Sequence, residues 1–357
     1  MQTEWRYLPI IKWKRGEKDA LRFLTDQHWD GVVPLIEFQP ISAAPDGVSL
    51  NQALPEYVEK ISKEIIKSIP EDRAIAIDTV YVSTGFARQV ALLLAVCRRL
   101  QKLVPNRVIP AIRASQLDAL SLLTTKQVET LKNMPEVILR LQTDELAPTQ
   151  IGPSLDALAK FVKRKAIHLL LDQYSLVGKN HADGQVFIAP YLLATSSSVC
   201  ASVTLAGGSF PINLTGKKQG VTDIPRVEWK IWLELAKEKS YPKLRFSDYT
   251  VSNPAPQDED IDPKNMNPSI AIRYASDEFW RLYKGGGFKK GSPGVLRALS
   301  KLLITDPIYG GEGYSYGDKQ YMNYSNGTGK NGIPWTWRRD ATNRHIVLTI
   351  KTLNGTP

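Results

Sequence analysis

Charge recurs near the ends of short apolar runs along this chain. Lys12 and Lys14 end YLPIIKWK, Glu37 sits in PLIEF, Asp78 ends AIAID and Arg113 ends IPAIR. Arg140 lies in VILRLQ, Asp172 ends HLLLD, and Asp248 and Tyr249 lie in FSDYT, while another run passes into Gly207, Gly208 and Ser209. A lone ion after an apolar run is costly unless it is paired, hydrogen-bonded or wetted. The set is therefore expected to form a network. Glu37, Asp78, Asp172 and Asp248 are the candidate catalytic carboxylates. The first three are also the candidate ligands for a divalent cation such as Mg, because hard cations take oxygen donors. Lys12, Lys14, Arg113 and Arg140, with Ser209 and Tyr249, are the candidate anion-binding groups, arginine offering a two-pronged fork to phosphate or carboxylate. The plainer alternative is that the Asp–Arg pairs only close the structure.

Positioning these groups requires strands that are buried on both faces. Such runs occur at 7–13, 32–38, 74–80, 107–113, 136–142, 167–173, 202–208 and 244–250. They are apolar almost throughout, as in parallel sheets covered on both sides. Between them, GEKDALRFLTD, ALPEYVEKISKEIIKSI, GFARQVALLLAVCRRLQKL, SLDALAKFVKRK and WKIWLELAKEKS carry apolar residues at helical spacing. A further short helix is expected within 189–197. Eight such units predict an α/β fold, a (β/α)8 TIM-like barrel over residues 1–252, with the charges at the mouth formed by the strands' carboxyl ends. An open doubly wound sheet is the rival, but no Gly-x-Gly-x-x-Gly follows the first strand. Residues 253–357 form a C-terminal α+β extension. It opens on a Pro- and Asp-rich linker and continues with strands at 269–275 and 345–353 and a helix at 294–304. A Gly- and Tyr-rich loop system lies between that helix and the last strand.

The remaining features bound the function. The 357 residues include 46 basic and 36 acidic side chains, giving +10 and a pI near 9.4, which suits an anionic partner without requiring one. Cys97 and Cys200 have neither disulfide-framework nor zinc spacing. The N-terminus has no secretory pattern and no apolar run is long enough to span a bilayer, so a cytoplasmic protein without a membrane partner is expected. His168, at a strand start, is expected to be structural. The loop KGGGFKKG offers Lys284, Lys289 and Lys290 to an anion, with a surface turn as the alternative. In PWTWRRDATNRH, Trp335, Trp337, Arg338, Arg339 and His345 interleave aromatic and basic groups, as single-stranded nucleic-acid grips do. Packing of this tail over the barrel is the alternative.

The pieces YLPIIKWKRGEKDAL, VPLIE, IPAIR, LLLD, GGSFP, FSDYT, IRYASDEFW, YSYGD and WRRDATNRH together resemble the bacterial and phage beta protein family. Arg344 stands where that family often has a second His, so no His pair is carried over. The resemblance implies an antiphage-defence or phage-associated protein, with a protein partner from a neighbouring gene. The expected function is recognition of an anionic ligand or macromolecule. Metal-assisted phosphodiesterase or nuclease chemistry at the strand ends is the alternative. Nucleic-acid binding through the tail comes third.

Overall fold

Eight parallel strands close on themselves in chain order. In the computed structural model they are β1 (Tyr7–Lys12), β2 (Leu35–Glu37), β3 (Ile75–Asp78), β4 (Val108–Arg113), β5 (Val137–Gln142), β6 (Ile167–Ser175), β7 (Ser202–Gly208) and, after an inserted β8 (Gly220–Pro225), β9 (Arg245–Asp248). The last strand pairs with both β7 and β1, so the sheet has no free edge. The structure describes residues 3–40, 50–82, 85–103, 108–182, 200–238, 244–255, 267–289, 294–328 and 332–355. The helix expected within 189–197 lies outside them, as does Lys290.

Alternation along the strands sorts the apolar residues into two cores. Leu8, Ile10, Leu35, Ala76, Ile109, Ala111, Ile138, Leu170 and Ala206 fill the barrel interior. Ile11, Ile36, Ile77, Ile112, Leu139 and Leu169 face outward and pack with residues of the helices, such as Leu21, Ile65, Val90 and Leu93. Among the helices on this face are α1 (Arg15–Arg22), α2 (Asp26–Trp29), α3 (Leu50–Ser68), α4 (Phe86–Leu103), α5 (Thr125–Lys132), α6 (Pro148–Ala159) and α7 (Val227–Ala236). Both cysteines are free thiols. His168 is buried at the amino end of β6, bonded to Glu136 and Ser202. Among the described residues no helix is long and apolar enough to cross a membrane.

The remaining elements form a second layer. β10 (Ser269–Ala275) and β11 (Phe279–Gly287) pair antiparallel, and β11 also pairs with β8. They are followed by α8 (Gly294–Ile304), α9 (Tyr316–Asn326) and α10 (Pro334–Gly355). β8 arises between β7 and α7, so the second layer draws on the barrel's own chain as well as on residues after 252. Two sequence expectations change here. Residues 345–353 are the second half of a 22-residue helix, not a strand. Their apolar, β-branched composition suits a strand, and burial on nearly every side leaves no helical stripe to see. Within the expected loop region, Tyr316–Asn326 is helical. Ser315 caps it by accepting from Asp318 N, and Gly327 ends it at φ 71°.

Candidate functional site

The same alternation that fills the barrel with Leu8 and Ile10 points Lys12 inward. Its neighbours across the sheet are Glu37 and then Asp78, in one register row. Arg113 stands beside Arg140, and Gln142 beside Asp172. Six strands therefore bring charged or amide groups to the carboxyl-end mouth. Trp13, one residue on from Lys12, is buried on the outer face, where its indole N–H donates to Glu64 Oε2 of α3 at 3.1 Å.

Arg140, fully buried, is the hub of this mouth. Its Nη1 donates to Glu37 Oε1 at 2.8 Å and to Asp78 Oδ2 at 2.7 Å. Its Nη2 donates to Asp172 Oδ2 at 2.7 Å and to the Tyr249 hydroxyl at 2.6 Å. Tyr249 in turn donates to Asp172 Oδ2 at 2.5 Å. Arg113 Nε lies 3.3 Å from Asp78 Oδ2, and its Nη1 donates to Gln142 Oε1 at 2.5 Å. Three carboxylates thus face Arg140, Arg113 and Lys12, a formally neutral set.

Burial raises the Glu37 carboxyl, Arg140 opposes that, and neighbouring Asp78 adds to the rise. Burial acts the same way on Asp78, but Arg113 and Arg140 outweigh it and hold that carboxyl below its usual value. Burial lowers Lys12 to about 8, against the pull of Glu37 and with help from Lys14 and Arg338. Two of the aspartates also shape their own loops. Asp78 Oδ1 accepts from Val80 N, and Asp172 Oδ1 accepts from Tyr174 N, both at 2.9 Å. The second turn holds Tyr174 at φ 59°, an unusual conformation for a non-glycine residue.

The mouth is roofed by the chain that follows β9. Lys12 Nζ donates to Ala255 O, and the Tyr81 hydroxyl lies 3.4 Å from Pro254 O. Tyr81 lies beneath the Arg113 guanidinium, and Tyr174 packs edge-on against Tyr249. Beneath this roof, Arg113 Nη2 and Glu37 Oε2 are buried with no hydrogen-bond partner.

The cation expectation meets an obstacle in this geometry. Glu37 Oε1, Asp78 Oδ2 and Asp172 Oδ2 all turn onto the Arg140 guanidinium, which takes the central place a cation would need. Among the described residues no group of three His, Cys, Asp or Glu side chains is placed to hold a metal. These residues do not fit a divalent cation.

Asp248 does not join the mouth. Its neighbours Ser247 and Tyr249 point inward, so Asp248 faces out toward α10. There it accepts from the Tyr7 hydroxyl at 2.7 Å and lies 2.7 Å from His345 Nε2, with Arg226 Nη2 at 3.6 Å. Burial lowers His345 despite Asp248, and because a carboxylate only accepts, Nε2 is the ring nitrogen that donates to it. Ser209 turns away from the mouth as well, beside Glu228, whose carboxyl burial raises to about 7. Lys14 is half-buried at the start of α1, close enough to lower Lys12.

The tail residues are already engaged by packing. Trp337 is buried, Arg15 lies over Trp335, and Arg339 lies over Tyr316 while bonding Asp340. The faces a nucleobase would stack on are largely taken. Lys284 Nζ donates to the carbonyls of Leu214 and Lys217, and Lys284–Gly287 are the end of β11 rather than a loop, with the turn starting at Phe288. Sequence reasoning missed Gln142, Tyr81 and Tyr174. Gln142 was within reach, because it lies two residues beyond Arg140 and alternation puts both on one face.

The sequence model of the Beta protein family matches residues 7–351. The chain belongs to the Beta protein family. No curated protein matches it. Among solved structures, a glucosidase from Croceicoccus marinus is similar at 14% identity and a TM-score of 0.33 over 52% of this chain and 43% of that one. The chain thus spans less than half of that glucosidase. The spore cortex-lytic enzyme SleL of Bacillus megaterium QM B1551 is similar at 10% identity and a TM-score of 0.30, over 96% of this chain and 75% of that one. Likenesses this loose carry no chemistry to this chain.

Proposed function

We propose that this Beta protein is an anion-recognising barrel that acts with a partner in a phage-associated or antiphage role. One observation carries the recognition part. Arg113 Nη2 is buried at the mouth without a hydrogen-bond partner, with Glu37 Oε1 3.6 Å away as an ion-pair contact, and Lys12 acts on the same Glu37 carboxylate. A buried guanidinium donor without a hydrogen bond is costly, and a phosphate or carboxylate oxygen would supply one. The phage-associated role is carried over from the family resemblance.

Two experiments test the two parts. Isothermal titration with a nucleoside monophosphate and with citrate should show binding that Arg113→Gln weakens about tenfold or more. Binding that ignores this substitution removes the mouth from the proposal. For the biological role, plating efficiency of a phage panel should fall on cells expressing the protein and recover with Arg113→Gln. Equal plating with and without the protein counts against defence.

A second reading has a specific observation behind it. Glu37 combines a raised carboxyl with an unpartnered Oε2, as a proton-transferring residue would. On that reading the mouth hydrolyses a phosphate-containing substrate. Turnover of phosphodiester substrates that disappears in Glu37→Gln would favour it over simple binding.

A further inference from the structure

Arg273 and Arg338 meet where the barrel rim, β10 and the start of α10 come together. Arg273 Nη1 donates to Val251 O at 2.7 Å. Arg338 Nη1 donates to the same carbonyl at 2.8 Å and to Ser252 Oγ at 3.0 Å. Two guanidinium groups thus share one neutral acceptor. Like charges this close repel, and more strongly where water is scarce. A guanidinium does not shed its proton to escape that cost. Among the described residues, the carboxylate within reach is Glu17, 3.8 Å from Arg338 Nε, and Arg273 has no ion pair. Arg338 also adds to the positive field that lowers Lys12.

The two arginines line a cleft together with Leu214, Ser269, Ala271 and Trp337. The Arg273 guanidinium lies over the Phe210 ring, which fixes the plane of its fork. The first turn of α10 adds little charge of its own. Thr336 N and Trp337 N both donate to Ile333 O. The arginines are therefore the source of the positive potential, and Leu214, Ala271 and Trp337 supply an apolar wall.

We propose that this cleft is a second anion site, separate from the barrel mouth, for a small carboxylate or phosphate monoester on a flat apolar body. The planar forks match either oxyanion, and the ligand's charge offsets the repulsion between the arginines. The wall beside them suits an aromatic or aliphatic body. The segment from Val251 to Ala255 separates the two sites. Its Val251 carbonyl faces the arginines of the cleft, and its Ala255 carbonyl accepts from Lys12 at the mouth.

Benzoate and phenyl phosphate serve as probes, one for each oxyanion. Calorimetric titration of the full chain should show binding of at least one. Arg273→Gln should weaken it about tenfold or more, and Arg273→Lys should weaken it less. Hydrogen exchange of the unaltered protein gives a readout that no variant's folding can confound. The bound probe should protect peptides covering 267–273 and 332–338. The proposal is overturned if neither probe binds, if binding ignores both Arg273 substitutions, or if protection appears only at the strand-end segments of the mouth. Loss in Arg113→Gln with Arg273→Gln unaffected would place the probe in the mouth and refute the cleft.

Discussion

Arg140 is worth more to this protein by its position than by its charge. It is the shared partner of Glu37, Asp78 and Asp172, and it is fully buried. Removing one partner of a buried ionic network leaves the rest uncompensated. Arg140→Met should therefore cost about 3–5 kcal/mol in urea unfolding. A change within error would mean that water or rearrangement screens the three carboxylates. Lys12 makes a pH prediction. Below about 8 it is charged in both folded and unfolded chains, so its burial opposes folding there. From about 8 up to its ordinary 10.5, the unfolded chain holds the proton and the fold does not. Stability then rises with pH across that window. Anion affinity at the mouth should fall over the same range, as the ammonium is lost. Lys12→Met should flatten both profiles, and unaltered slopes would exclude Lys12 as their source.

At the level of elements, the contact between α1 and α10 depends on a missing side chain. A Cβ at Gly16 would stand 2.6 Å from the Trp335 carbonyl oxygen, a backbone atom that cannot swing aside. Asn343 Nδ2 also donates to Ala20 O across this contact. Gly16→Ala should destabilise by about 1–3 kcal/mol, read as a lowered denaturation midpoint with unchanged m-value. A neutral result would show that α10 can shift on α1. The same contact explains how GEKDALRF can be recognised as a helix while its close approach to the tail cannot. Helical spacing is local, and the partner lies more than 300 residues away.

On the scale of the whole molecule, the tail completes the barrel's outer core. Ile346, Val347, Ile350 and Leu353 of α10 share one apolar cluster with Tyr7, Leu21 and Trp29. Asp248 of β9 is held by His345 of the same helix. A chain ending at Ser252 should lack a cooperative thermal transition, because it exposes that face and leaves Asp248 with fewer partners. The full chain should unfold in a single transition, coincident by near- and far-ultraviolet circular dichroism. Two separated transitions would show that barrel and second layer fold independently.

The sequence by itself determined the barrel. Eight doubly buried strands and the helices between them are local patterns, and so is the alternation that sends Lys12 inward and Trp13 outward. It also supplied the mouth residues Glu37, Asp78, Arg113, Arg140 and Asp172, since charge after an apolar run has few places to go. The tertiary structure decided which charges meet. Asp248 ends a strand as Asp78 does, yet a register one residue different turns it to the other face, and strand ends vary by a residue without leaving a mark in composition. Nearly complete burial hid the helical period of 345–353. The sharing of Val251 O by Arg273 and Arg338 depends on three segments distant in the chain, and pattern reading along one segment carries no information about such a meeting.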